Sequence, residues 1–138
     1  MTPVWRFGRV FGVTLACLLV LDVPWLMSTA EPLYRPALGA HLASVPDLRA
    51  AGLFYVIYAV GLTALAVRPQ DGALSWRLSL ARGALFGLVA YATYDLTNQA
   101  TLANWPWWLT AIDMVWGTVL SGIAAGGAAV VSRWGGGR

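Results

Sequence analysis

The sequence predicts an all-α, polytopic integral membrane protein, a four-transmembrane-helix bundle with its N- and C-termini cytoplasmic, and three observations predict it. Of the 138 residues, 59% are hydrophobic and 11% charged, with a mean hydropathy of +0.66, a balance too apolar for a soluble domain of this length. Apolar runs of about the length that crosses ~30 Å of hydrocarbon recur at residues 4–30, 49–67, 78–100 and 107–131. Arg6, Arg9, Arg68, Arg77, Arg82, Arg133 and Arg138 fall on one side of these runs, against Arg35 and Arg49 on the other. The positive-inside rule then puts both termini in the cytoplasm and the 31–48 loop in the periplasm of a bacterial inner membrane. The chain 1–138 reads as a single membrane domain.

The net charge of +3 would suggest nucleic acid in a soluble protein, but these arginines flank apolar runs, where topology accounts for them, so no nucleic-acid partner is expected. Cys17 is the only cysteine, which excludes an internal disulfide and a multi-cysteine metal site. His41 has no ligand set around it, and Met27, Met114 and His41 are too scattered to argue haem ligation, so no metal is expected and any cofactor is unknown.

The first run opens with Arg6 and Arg9, continues apolar through Phe11 to Leu21, and ends with Asp22, Pro24 and Trp25. A signal peptide has a similar build, and Ser28-x-Ala30 could pass for its cleavage site. Asp22, Pro24 and Trp25 interrupt the region before that cut, so a retained helix is the better reading. Residues 31–48 carry Pro32, Pro36 and Pro46 and read as a loop, in which Leu38, Leu42 and Val45 recur at the spacing of a short interfacial helix. Ser44, three residues before Asp47, resembles a capping box opening the second span.

That span carries Tyr55 and Tyr58 on one face. Tyr55 suits an interfacial aromatic belt, whereas Tyr58 lies deeper and needs a hydroxyl partner. Pro69-Gln-Asp-Gly72 is good turn chemistry. The third span has Gly83-x-x-x-Gly87, a weak signal for close helix packing. Beyond it Tyr91, Asp95 and Asn98 recur on one face, with Tyr94 on the flank. Trp105, Trp107 and Trp108 read as interface anchors of the fourth span, which holds Asp113 and Trp116 and then a small-residue tract through Gly117, Ser121, Gly122, Ala125 and Gly126. The tail from Arg133 to Arg138 reads as polar and frayed.

Asp22 lies late in an outward helix, Asp95 late in another and Asp113 early in an inward one, so at ~1.5 Å per residue all three fall in the outer part of the bilayer. Asp22-x-x-Trp25 recurs as Asp113-x-x-Trp116, the same pair on helices of opposite direction.

Leu-Asp-x-x-Trp-Leu at 21–26, Ala-x-x-Phe-Tyr-x-x-Tyr-x-x-Gly at 51–61, Ala-Tyr-Ala-Thr-Tyr-Asp-Leu-Thr-Asn-x-Ala-Thr at 90–101 and Asp-x-x-Trp-Gly at 113–117 together resemble the DUF2177 family of predicted bacterial membrane proteins. The resemblance touches all four spans, is weaker over 31–48 and is absent from the Gly-rich tail. It implies a membrane protein and brings no catalytic residues with it, because no activity is established for the family. Its members' neighbourhood with lipid-modifying enzymes of the cyclopropane-synthase kind points towards lipid.

Ionisable side chains inside apolar spans are costly and mark functional sites by default. Asp95, Asp113 and Asp22 are therefore the candidate acid/base groups, and Tyr55, Tyr58, Tyr91, Tyr94, Asn98, Trp25 and Trp116 the candidate ligand-binding residues. Three carboxylates close together in low dielectric are not all ionised at neutral pH, and a protonated acid beside an ionised one is the arrangement for general acid and base chemistry. The expected function is a polar pocket that binds or modifies a membrane lipid or other hydrophobic small molecule. The alternatives are a non-catalytic, proton-coupled carrier, which would need to dimerise through its glycine faces, and a structural subunit or assembly factor with a membrane-protein partner.

Overall fold

Leu53, Ile57, Leu85 and Val115 are each more than 60% exposed, although they sit in the middle of long helices. Such an apolar exterior on helices of this length fits hydrocarbon as the surrounding medium. The computed structural model describes residues 2–71 and 75–134, and all regular structure among these is helical. Gly72 of the expected turn and the Gly135–Arg138 tail lie outside the described residues.

Helix α1 spans Pro3–Thr29 and starts where the Thr2 side chain caps the Trp5 amide, with Pro3 at the position where a missing N–H costs nothing. It does not stop at the expected loop. A π-helical turn, Ala30–Tyr34, carries it into α2, Arg35–Leu38, and a 3₁₀ turn, Gly39–His41. Helical structure therefore occupies residues 31–41 of the 31–48 segment. Of the residues spaced for an interfacial helix, Leu38 and Leu42 are half-buried and Val45 is exposed.

Helix α3 spans Leu48–Leu62 and is capped by Asp47 itself, whose Oδ1 accepts from the amides of Arg49 at 2.9 Å and Ala50 at 3.4 Å. The cap thus falls on the carboxylate and not on Ser44. A second π-helical turn, Thr63–Val67, extends α3 and ends at Arg68, which is left-handed at φ 53°. Helix α4 spans Trp76–Thr101 and α5 spans Trp107–Trp134.

The stretches Pro3–His41, Leu48–Val67 and Trp107–Arg133 are long and apolar enough to cross a membrane. The 26 residues of α4 are long enough but more polar, because Arg77, Arg82, Asp95 and a run of Thr, Asn and Gln lie on it.

Helix α5 is the hub. Its small residues, Ala124, Ala125, Ala128 and Ala129, are fully buried, and Val10 and Leu18 of α1 and Ala59 and Leu62 of α3 close around the same core. Against it α4 packs at backbone contact. A Cβ on Gly83 would run into the Ser121 carbonyl and Ala125, and one on Gly87 into the Gly117 carbonyl and Ser121. The Gly-x-x-x-Gly pattern is thus the seam of the α4–α5 pair. At the chain ends Arg9 donates to the Ser132 carbonyl at 2.9 Å, tying α1 to the end of α5.

At Gly83 and Gly87 alike the nearest atom met is a backbone carbonyl oxygen, which cannot swing aside as the end of a flexible side chain does. Gly87→Ala is therefore expected to destabilise the bundle by about 1–3 kcal/mol, as overpacking does, whereas Gly12→Ala, with nothing within 4 Å of the added methyl, leaves it unchanged. Thermal unfolding in detergent separates the two.

Candidate functional site: a buried carboxylate cluster

Hydrocarbon offers no water to a carboxylate, so each acid must be matched by donors from the protein. Asp22, on α1, is buried and has two: the Tyr55 hydroxyl of α3 donates to Oδ2 at 2.6 Å, and the Trp116 indole N–H of α5 donates to Oδ1 at 2.8 Å. Three helices meet on one side chain.

Asp113, on α5, is buried and accepts from the Tyr34 hydroxyl at 2.5 Å. That hydroxyl in turn accepts from the Trp25 indole N–H at 3.3 Å. The rings of Trp25 and Trp116 stack at 4.3 Å between centroids and 9° between planes. The two Asp-x-x-Trp pairs are therefore interlocked by exchange: the indole from α5 serves the acid of α1, and the indole from α1 reaches the acid of α5 through Tyr34.

Asp95, on α4, is 0% exposed, and no donor from the described residues reaches either of its oxygens. The nearest charged group acting on it is the carboxyl of Asp113 on α5. Among the described residues no three His, Cys, Asp or Glu side chains close on one point as metal ligands do.

Tyr58 is buried, and the partner its depth requires is the Ser121 hydroxyl of α5 at 2.7 Å. Tyr91 packs edge-on to Tyr58, at 6.5 Å between centroids, and lies in the electrostatic field of Asp22 and Asp113. Its ring rests on α5 at Gly117, where any Cβ would collide with it. That contact accounts for the glycine directly after Trp116.

Of the residues singled out from the sequence, Asp22, Asp95, Asp113, Trp25, Trp116, Tyr55, Tyr58 and Tyr91 belong to this assembly. Tyr94 does not: it is 58% exposed and packs edge-on against Trp105. Asn98 is half-buried on the face of α4 that carries Asp95, one turn closer to the helix end. Tyr34 is the participant that sequence reasoning missed. The signal was available in the i, i+4 pair Glu31 and Arg35, bridged at 2.8 Å, which marks helix where the prolines suggest loop.

A second polar group braces the turn into α5. Gln99 donates to the Trp105 carbonyl at 2.8 Å, Trp105 to Thr110 at 3.1 Å, and Thr110 back to Gln99 at 3.0 Å. The loop of bonds fixes the start of α5 on which Asp113 depends.

The family model for DUF2177, described as a predicted membrane protein, matches residues 7–130. The chain belongs to the DUF2177 family. The match takes in every DUF2177 residue of the acid cluster, from Asp22 to Ser121. Neither the curated proteins nor the solved structures yield a match.

If the Asp22 clamp carries stability, Tyr55→Phe and Trp116→Phe each leave a buried carboxylate oxygen without its donor and cost about 1–3 kcal/mol. The double variant is expected to cost measurably more or less than the sum, because both donors serve one carboxylate. Thermal unfolding of the three variants in detergent provides the cycle, and plain additivity would dissolve the clamp into independent contacts.

Proposed function

We propose that this DUF2177 protein binds a lipid, or another small hydrophobic molecule, beside the Trp25–Trp116 indole pair and exchanges a proton with it through Asp95 and Asp113. The observation that carries the reading is Asp95. A carboxyl placed only to lock helices together would be saturated as Asp22 is, yet Asp95 is wholly buried and faces another acid. Burying a polar group in that way costs several kcal/mol, and a cost of that kind inside a membrane marks a working group.

The approach to the pair supports the reading. A groove of about 420 Å³ is lined by Trp25 and Trp116 together with Ile112, Val115 and Val119. Its lining is apolar and Val115 is 65% exposed, so the groove opens towards lipid. An apolar chain seated there would place a polar end next to indoles that are hydrogen-bonded to Asp22 and, through Tyr34, to Asp113. Asp22, with both oxygens matched, suits the structural role, so the locking and the working functions fall on different acids.

The arginine count on the two sides supports a topology with both termini in the cytoplasm of a bacterial inner membrane and the acids under the periplasmic face. Alkaline phosphatase fused after Arg138 should then be inactive and a fluorescent protein fused there bright; the opposite pair of results reverses the topology.

The chemistry is tested with Asp95→Asn, which keeps the size of the side chain and still offers a donor to Asp113. The variant is expected to fold with undiminished thermal stability. Lipid extracts from cells lacking the gene, complemented with wild type or with the variant, are compared by mass spectrometry. Wild type should restore a lipid species that the variant does not; complementation by Asp95→Asn would remove the acid from the function.

A further inference from the structure

At the arginine end of the bundle the balance of charge is reversed. Arg82 lies two turns into α4, within the span, where a cation needs an anionic or carbonyl partner. Its Nη1 is buried, and no acceptor among the described residues meets it. Facing it across a groove of about 410 Å³ is Arg68, held at the end of the Thr63–Val67 turn in the left-handed conformation, which is strained for any residue but glycine. Arg68 pairs with Asp71, both side chains being about 40% exposed, so the two arginines and this acid leave one net positive charge at the groove mouth.

The rest of the groove is apolar. Leu85 and Phe86 lie one turn beyond Arg82 and Val89 two turns beyond, with Leu65 opposite. Leu65, Leu85 and Val89 are 63%, 61% and 58% exposed, so the groove is open along its length to the lipid side of the bundle. Charge at one end and an uninterrupted apolar trough leading away from it match the build of one kind of molecule.

We propose that this groove is a binding site for an anionic phospholipid, its phosphate held by Arg82 and Arg68 and one acyl chain lying along Leu85, Phe86 and Val89. A guanidinium presents its donors in a planar fork suited to phosphate oxygens, and the bond is charge-assisted on both sides. Basic pockets between membrane helices recognise lipid head groups by the same means. The Asp71 carboxylate works against the phosphate by competing for Arg68, so Asp71→Asn should strengthen binding. The site lies at the opposite end of the bundle from the acid cluster and does not depend on what that cluster does.

The test is native mass spectrometry of the purified full-length protein in detergent with added phosphatidylglycerol or phosphatidylcholine. Wild type should retain phosphatidylglycerol in preference to phosphatidylcholine, and Arg82→Gln should lower that retention about tenfold, the effect of losing one charge-assisted bond. Leu85→Trp, which fills the trough without touching the charges, should lower it as well, and it decides the matter if Arg82→Gln fails to fold. Arg77→Gln, whose guanidinium lies over the Trp76 ring at 5.4 Å, serves as the control that changes nothing. Equal retention of both lipids by wild type, or undiminished retention by Leu85→Trp, overturns the proposal. So does displacement of phosphatidylglycerol by inorganic phosphate alone, which would make the groove a site for a soluble anion.

Discussion

A carboxylate sealed in hydrocarbon must find its hydrogen-bond donors on neighbouring helices, and the acid end of this bundle is arranged by that requirement. Asp22 draws Tyr55 from α3 and Trp116 from α5, so the azimuth of each helix about its own axis is tied to one side chain. Asp113 draws Tyr34 from the segment beyond α1, which folds that segment back over α5. The stacked indoles join the two sets, because each donates a bond towards the acid that lies on the other's helix. Weakening any one of these contacts leaves a polar atom stranded, a far larger penalty than a bond exchanged for water would carry.

The other half of the molecule is held by a different principle. There the helices approach until backbone meets backbone, through Gly83, Gly87 and the alanines of α5, and dispersion contacts over that seam replace directional bonds. The division has a physical logic. Close packing specifies distance but tolerates some sliding, whereas the bonds of the acid cluster set the registration of α1, α3 and α5. Together they give a bundle that is tight at one end and uniquely oriented at the other.

Much of this was legible in the sequence, and the boundary of legibility is instructive. The common height of Asp22, Asp95 and Asp113 follows from their positions along the spans, since rise per residue converts position along a helix into height. The repeated Asp-x-x-Trp spacing pointed to facing pairs. Which donor serves which acid did not follow, because a linear sequence does not say how one helix is rotated relative to the next. Tyr94 shows the limit: it adjoins the Asp95 face, yet the turn into α5 gives it Trp105 as a neighbour instead. The loop expected at 31–48 gave way to helix as far as His41 for another reason. Pro32 and Pro36 lack the N–H that an α-helix uses, but a local change to π-helical spacing keeps the backbone winding past them. Hydroxyls help at the same place, with Ser28 donating to the carbonyls of Pro24 and Trp25 and Thr29 donating to that of Trp25.

The wide turn at Ala30–Tyr34 also fixes a length. A helix advances ~100° per residue, so one residue gained or lost between Trp25 and Tyr34 would swing the tyrosine about a quarter-circle away from Asp113 and leave the indole hydrogen unclaimed. A side chain of that stretch that makes no bond can be exchanged without moving Tyr34, whereas a change in the number of residues moves it. Insertions and deletions should accordingly collect after His41, where the winding has ended and nothing downstream is aimed by it.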